Sequence, residues 1–128
     1  MVIDSSAVLA ILQDEPERAT FNRAIAADRV RLLSAANYLE VAIIIDRRRG
    51  EEGARDLRHY LIDAAINIVP VSASQAELAR AAYRRFGRGY HPARLNFGDC
   101  LAYALAQETG EPLLFKGEDF PRTDVATV

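Results

Sequence analysis

Four short apolar runs, Met1–Asp4, Val30–Leu33, Ile68–Val71 and Pro112–Phe115, recur along the chain, and the stretches between them carry apolar residues at helical spacing. Strands separated by helices cannot be joined as hairpins. They are joined by crossovers, which make neighbouring strands parallel and place helices over both faces of the sheet. The pattern therefore predicts an α/β fold with a central, mostly parallel sheet of four to five strands flanked by helices on both faces. The optional fifth strand is the tail from Asp124 to Val128.

Helix signals fill the gaps. Ser5 or Ser6 is placed to cap a helix carrying Val8, Leu9, Ile11 and Leu12. Pro16 opens a second helix through Ala27, since proline is tolerated in a first turn. An apolar helix runs from Ala35 to the triplet Arg47-Arg48-Arg49, with Gly50 as its stop, and another spans Glu51 to Asn67. Ser74–Arg85 is amphipathic, Gly87–Leu95 reads as a loop, and Asn96–Glu108 is a helix ended by Gly110. With 128 residues and no repeat, linker or low-complexity segment, residues 1–128 are expected to form a single domain.

Composition excludes several functions. The chain carries 16 basic and 18 acidic residues, a net charge of −2, so it lacks the basic excess of a protein that simply coats nucleic acid. Its one cysteine, Cys100, allows neither an internal disulfide nor a cysteine-built zinc site. The N-terminus shows no basic segment followed by an apolar run, and no apolar stretch approaches a membrane span. A reducing, cytoplasmic location is expected.

Three acids stand out by their isolation. Asp4 is the only charge between Met1 and Asp14, Glu40 the only one between Ser34 and Asp46, and Asp99 the only one between Arg94 and Glu108. Glu40 is followed by Val41, Ala42, Ile43, Ile44 and Ile45, on a helix expected to be largely buried. An ionised carboxylate in apolar surroundings is costly unless a cation or hydrogen-bond donors compensate it.

Topology gathers these acids. In a parallel α/β sheet, ligands bind beyond the carboxyl ends of the strands, and the N-termini of the returning helices collect at the same edge. Asp4 ends the first strand, Glu40 lies early in the helix after the second, and Asp99 is in the first turn of the helix before the fourth. A fourth acid, Glu118 or Asp119, follows that last strand. Carboxylates crowded into one crevice need a neutralising cation, and hard oxygen donors select Mg²⁺ or Mn²⁺. Such an ion activates water and neutralises charge on a phosphodiester. Any single one of these acids is more simply an arginine partner or a helix cap. Asn96 and Asp99 are indeed spaced as N-cap and N3 residues.

The segments Val2-Ile3-Asp4-Ser5-Ser6-Ala7, Asn37-Tyr38-Leu39-Glu40-Val41, Leu95-Asn96-Phe97-Gly98-Asp99-Cys100 and Leu113-Leu114-Phe115-Lys116-Gly117-Glu118-Asp119-Phe120 resemble, in order, the motifs of PIN-domain ribonucleases, specifically the VapC toxins of toxin–antitoxin pairs. The resemblance implies a single PIN domain and a metal-dependent endoribonuclease. It implies an acidic quartet of Asp4, Glu40, Asp99 and Asp119 holding Mg²⁺ or Mn²⁺, and prefers Asp119 to Glu118. Ser6 falls where the family often places a small hydroxyl or amide residue near the metal. The family also implies an RNA substrate, a homodimer, and a VapB antitoxin whose C-terminal segment occupies the acidic groove.

Accessory residues are less determined. Asn96 adjoins the quartet, and Lys116 could reach a phosphate or pair with an acid. Arg84, Arg85, Arg88 and Arg94, with Tyr90 and His91 between them, suit phosphates and unstacked bases and are candidates for RNA binding. Arg47, Arg48 and Arg49 read as a solvated helix end. A response-regulator receiver would need an acidic pair after the first strand and an aspartate ending the third; here Asp4 precedes two serines and the third strand runs into Pro70-Val71-Ser72. A haloacid-dehalogenase-like phosphatase needs a second aspartate where Ser6 stands. The remaining rival is a catalytically inactive PIN-like module that only binds RNA or protein.

Overall fold

A computed structural model describes all residues, Met1–Val128. The chain runs β1 (Val2–Ile3), α1 (Ser5–Leu12), α2 (Arg18–Ala27), β2 (Leu32–Ser34), α3 (Ala35–Asp63), β3 (Asn67–Val69), α4 (Ala73–Phe86), α5 (Phe97–Thr109) and β4 (Leu113–Leu114), ending in a 3₁₀ turn at Phe120–Arg122. The four strands form one sheet in the order β3-β2-β1-β4, and every pairing is parallel.

Alternation along the strands divides the core in two. Val2 and Leu113 face a cluster built from α4 and α5, with Ala79, Phe86, Leu101 and Leu105. Ile3, Leu33 and Leu114 face the opposite cluster from α1 and α3, with Val8, Ile11, Val41 and Ile45. A strand buried on both faces must be apolar at consecutive positions, which is why these runs do not alternate with polar residues.

Several boundaries differ from expectation. Asp4, not a serine, caps α1: its side chain accepts the backbone amide of Ser6. Proline at position 16 lies in a turn, and α2 starts at Arg18 without a side-chain cap. The helices on either side of Gly50 abut directly, joined through that residue at φ 56°, ψ −144°, a conformation that glycine reaches without a Cβ clash. The expected last strand reduces to a single parallel bridge between Leu113 and Thr127. The apolar helix around Glu40 is buried on one face only, through Asn37, Val41 and Ile45, while Leu39 is 57% and Ile43 49% exposed. No helix is long and apolar enough to cross a membrane.

Candidate active site

The strand ends and helix starts bring Asp4, Glu40, Asp99 and Asp119 to one cleft of about 210 Å³, which Ser5, Ser6, Asn96 and Lys116 also line. Each acid arrives by a different local device. Asp4 lies where β1 becomes α1; its amide donates to Leu114 O at 2.8 Å, tying the residue to the neighbouring strand. Its Oδ2 accepts the Ser6 amide at 2.9 Å and the Ser6 hydroxyl at 2.6 Å. The Ser6 hydroxyl in turn accepts the Lys116 backbone amide at 2.9 Å. Ser6 thus links the end of β4 to the carboxylate that ends β1.

The second carboxylate, Glu40, sits early in α3, where Ser5 Oγ donates to its Oε2 at 3.1 Å. Gly98 lies directly against it: a Cβ there would collide with the Glu40 carboxylate. The fully buried Asn37, three residues before Glu40, donates through Nδ2 to Gly98 O at 3.1 Å and holds the start of α5 against α3. Asp99 belongs to a complete capping box with Asn96. Asp119 stands before the final 3₁₀ turn and lines the cleft, whereas Glu118 does not.

The electrostatics show how crowded this edge is. Burial raises the Asp99 carboxyl to about 7; the hydrogen bond from Asn96 opposes the rise, and the charges of Asp4, Asp119 and Glu40 add to it. Asp4 is also raised, first by burial and further by Glu40, against the lowering effect of the Ser6 hydrogen bonds. Burial, then the Asp99 charge, pushes the adjacent Cys100 thiol up to about 12.

These groups fit a hard divalent cation. Asp4 Oδ1 is buried without any hydrogen-bond partner, although the residue is only 2% exposed. A buried carboxylate oxygen left so is costly, more than the roughly 1–3 kcal/mol of a neutral unsatisfied group. The donor set around it is all oxygen, the chemistry that Mg²⁺ and Mn²⁺ prefer. The carboxylates ring the cleft without closing on one point, since no three of them converge into a ready-made cage. Glu40 in particular is held toward Ser5 and Gly98.

The remaining sequence candidates separate. Lys116 Nζ pairs with Glu15, and with Glu17 at 3.2 Å, so this side chain is engaged by acids of the turn between α1 and α2. Arg85 pairs with Asp124 at 2.7 Å and Arg94 lies outside both the cleft and the groove beside it, whereas Arg84 and Arg88 line that neighbouring groove. The sequence marks Ser5 only as a possible helix cap and gives Asn37 and Gly98 no role in the site. All three lie inside the quoted motifs, and their signal was small or polar residues at otherwise apolar contact positions.

This fold, with its acids at the C-terminal edge of a parallel sheet, is that of a PIN domain, and the PIN-domain family profile matches residues 1–126. The chain is 56% identical to Ribonuclease VapC30 of Mycobacterium tuberculosis over 128 residues, covering 100% of this chain and 98% of that protein. It is equally 56% identical to Ribonuclease VapC of Mycolicibacterium smegmatis over 128 residues, covering 100% and 99%. The chain belongs to the VapC ribonucleases of the PIN-domain family. The crystal structure of Mycobacterium tuberculosis VapC20, described as a sarcin-ricin loop cleaving toxin, matches with a TM-score of 0.78 over 99% of this chain and 97% of that one. At 20% identity, that likeness is one of fold.

Proposed function

We propose that this ribonuclease is a Mg²⁺- or Mn²⁺-dependent endoribonuclease and the toxin of a VapBC pair, acting in the cytoplasm. The observation that carries the metal dependence is Asp4 Oδ1, buried and unpartnered beside three further carboxylates. Asp4, Glu40, Asp99 and Asp119 would hold the ion. When bound, it supplies Lewis-acid neutralisation of the phosphodiester and a lowered pKa for water.

The protein's own residues do the positioning. Ser6 fixes the rotamer of Asp4 through Oδ2, leaving Oδ1 for the ion. Asn96 fixes Asp99 at the N-terminus of α5, where the positive end of the helix dipole favours both the carboxylate and an incoming phosphate. Ser5 and Gly98 define where Glu40 stands. Lys116 braces the loop after β4 against the turn between α1 and α2 through Glu15 and Glu17.

We assign the exposed apolar stripe of α3, Leu39 and Ile43, to a homodimer contact. Those two side chains line a groove that also reaches Glu40, so a second copy would close the site from that side. The VapB antitoxin is assigned to the acidic cleft, where a cationic segment would neutralise the quartet. The deciding experiment is cleavage of an RNA pool with Mg²⁺ or Mn²⁺ and then with excess EDTA. Cleavage restricted to the metal-containing reactions supports the proposal. RNA binding without cleavage in any metal identifies a binding module instead.

A further inference from the structure

We infer that the groove between α4, the 87–97 loop and the start of α5 is a base-stacking subsite that holds an unpaired nucleotide of the RNA next to the scissile phosphate. The inference rests on the ribonuclease reading and adds a place for the substrate that the acidic cleft does not supply. The groove measures about 960 Å³, at the upper end of small-ligand sites and far larger than the cleft itself. Its walls carry Tyr83 and Tyr90, 38% and 67% exposed, and Phe97, 79% exposed, stands on the rim it shares with the Leu39 and Ile43 groove assigned to the second copy. The two tyrosine rings stay open around this depression even where a second copy covers Phe97, and the chain has only ten Phe and Tyr residues, five of each, and no Trp. Tyr83 and Tyr90 stand edge to face at 5.9 Å, so Tyr83 steadies the ring of Tyr90.

The charge around the groove is the second argument. Arg80, Arg84 and Arg88 line it and no acid does, although the chain as a whole is acidic. Arg80 shares its charge with Glu77 at 3.5 Å, but Arg84 and Arg88 enter no ion pair, unlike their neighbour Arg85 with Asp124. Flat π faces beside free guanidinium groups match a nucleotide: the base stacks and the flanking phosphates meet the arginines.

Continuity is the third. Asn96 lines the groove and the acidic cleft alike, so a strand whose phosphate lies among the carboxylates reaches the groove across one residue. An apolar peptide would fit the same floor but would leave Arg84 and Arg88 without counter-ions.

The test compares two single-stranded oligoribonucleotides of equal length and charge, one intact and one with abasic sites, binding in EDTA so that neither is cut. Wild-type protein is expected to prefer the intact strand by about fivefold or more, the worth of one stacked base. Tyr90→Leu, at an exposed position that leaves the fold intact, should reduce that preference below about twofold. Arg88→Gln should weaken both probes alike and lower the salt slope by about one unit. Equal binding of the two probes by wild-type protein overturns the subsite while leaving RNA cleavage standing. Loss of binding to both probes by wild-type protein, together with no cleavage in metal, overturns the ribonuclease reading itself. If Tyr90→Leu keeps the preference but changes the mass in light scattering, or abolishes binding of an antitoxin C-terminal peptide, the groove is a protein interface and the subsite is overturned.

Discussion

The backbone amide of Asn96 donates to Oδ2 of Asp99 at 2.9 Å, and the backbone amide of Asp99 donates to Oδ1 of Asn96 at the same distance. This reciprocal pair starts α5 and also fixes the orientation of a carboxylate in the cleft. Helix capping and site geometry are therefore one structure. Asn96→Ala should cost about 1 kcal/mol of stability through loss of the cap and should slow cleavage through misplacement of Asp99. Asn96→Ser should recover stability because serine caps about as well. Urea denaturation of the two variants checks this; equal stability of Asn96→Ala and wild type would contradict it.

Gly98 offers a separable case. In a bare helix, alanine for glycine gains up to about 1 kcal/mol. Here the added Cβ meets the end of the Glu40 side chain, which can swing aside. Gly98→Ala should therefore keep or raise the melting temperature while cleavage falls, on the order of 10²-fold, because Glu40 leaves its place beside Ser5. A stable variant with full activity would show that Glu40 does not need this position.

The pH dependence of stability has a definite sign. In the folded chain Asp99 titrates near 7, above the roughly 3.9 of an unfolded aspartate, and Asp4 is raised as well. A carboxyl raised by folding favours the native state below the unfolded value, and that contribution is lost as pH rises through the folded value. In EDTA, the melting temperature should fall between about pH 4 and pH 7 from these two groups. Asp99→Asn should flatten the fall, and saturating Mn²⁺ should oppose it because metal binds the deprotonated carboxylates. A thermal series across this range in chelator, with no difference between Asp99→Asn and wild type, would contradict the assignment.

Leu39 and Ile43 project from a helix whose other face is core. Leu39→Glu should convert a dimer to a monomer of about 14.2 kDa in light scattering without unfolding it. A wild-type protein already monomeric at micromolar concentration would remove the dimer contact.

Much of this arrangement could be read before the structure. The strand–helix alternation implied the parallel sheet, and three isolated acids at strand ends and helix starts implied their meeting. What escaped were features set by side-chain orientation or by distant partners. Asp4 caps its own helix because the Ser6 hydroxyl and amide both turn to it, which no local pattern distinguishes from a serine cap. The run Val41–Ile45 reads as buried, but at 100° per residue one apolar helix cannot hide every side, and Ile43 falls outside. Lys116 and Arg85 found acids 101 and 39 residues away, a choice invisible along the chain. Of the aromatic groove, Arg84, Arg88 and Tyr90 were legible as candidates for RNA binding, whereas Tyr83 and Phe97 join them only across the fold.

The most direct test of the account is the cleavage rate of Asp99→Asn. Asparagine keeps the side-chain size and can accept the Asn96 amide, so the capping box and the fold survive; only the charge is lost. With Mg²⁺ or Mn²⁺ present, the rate should drop by orders of magnitude, since metal-centred charge stabilisation is worth several kcal/mol, while stability in chelator is unchanged or higher. A folded Asp99→Asn protein that binds RNA and cleaves it at the wild-type rate would contradict the metal-held carboxylate cluster.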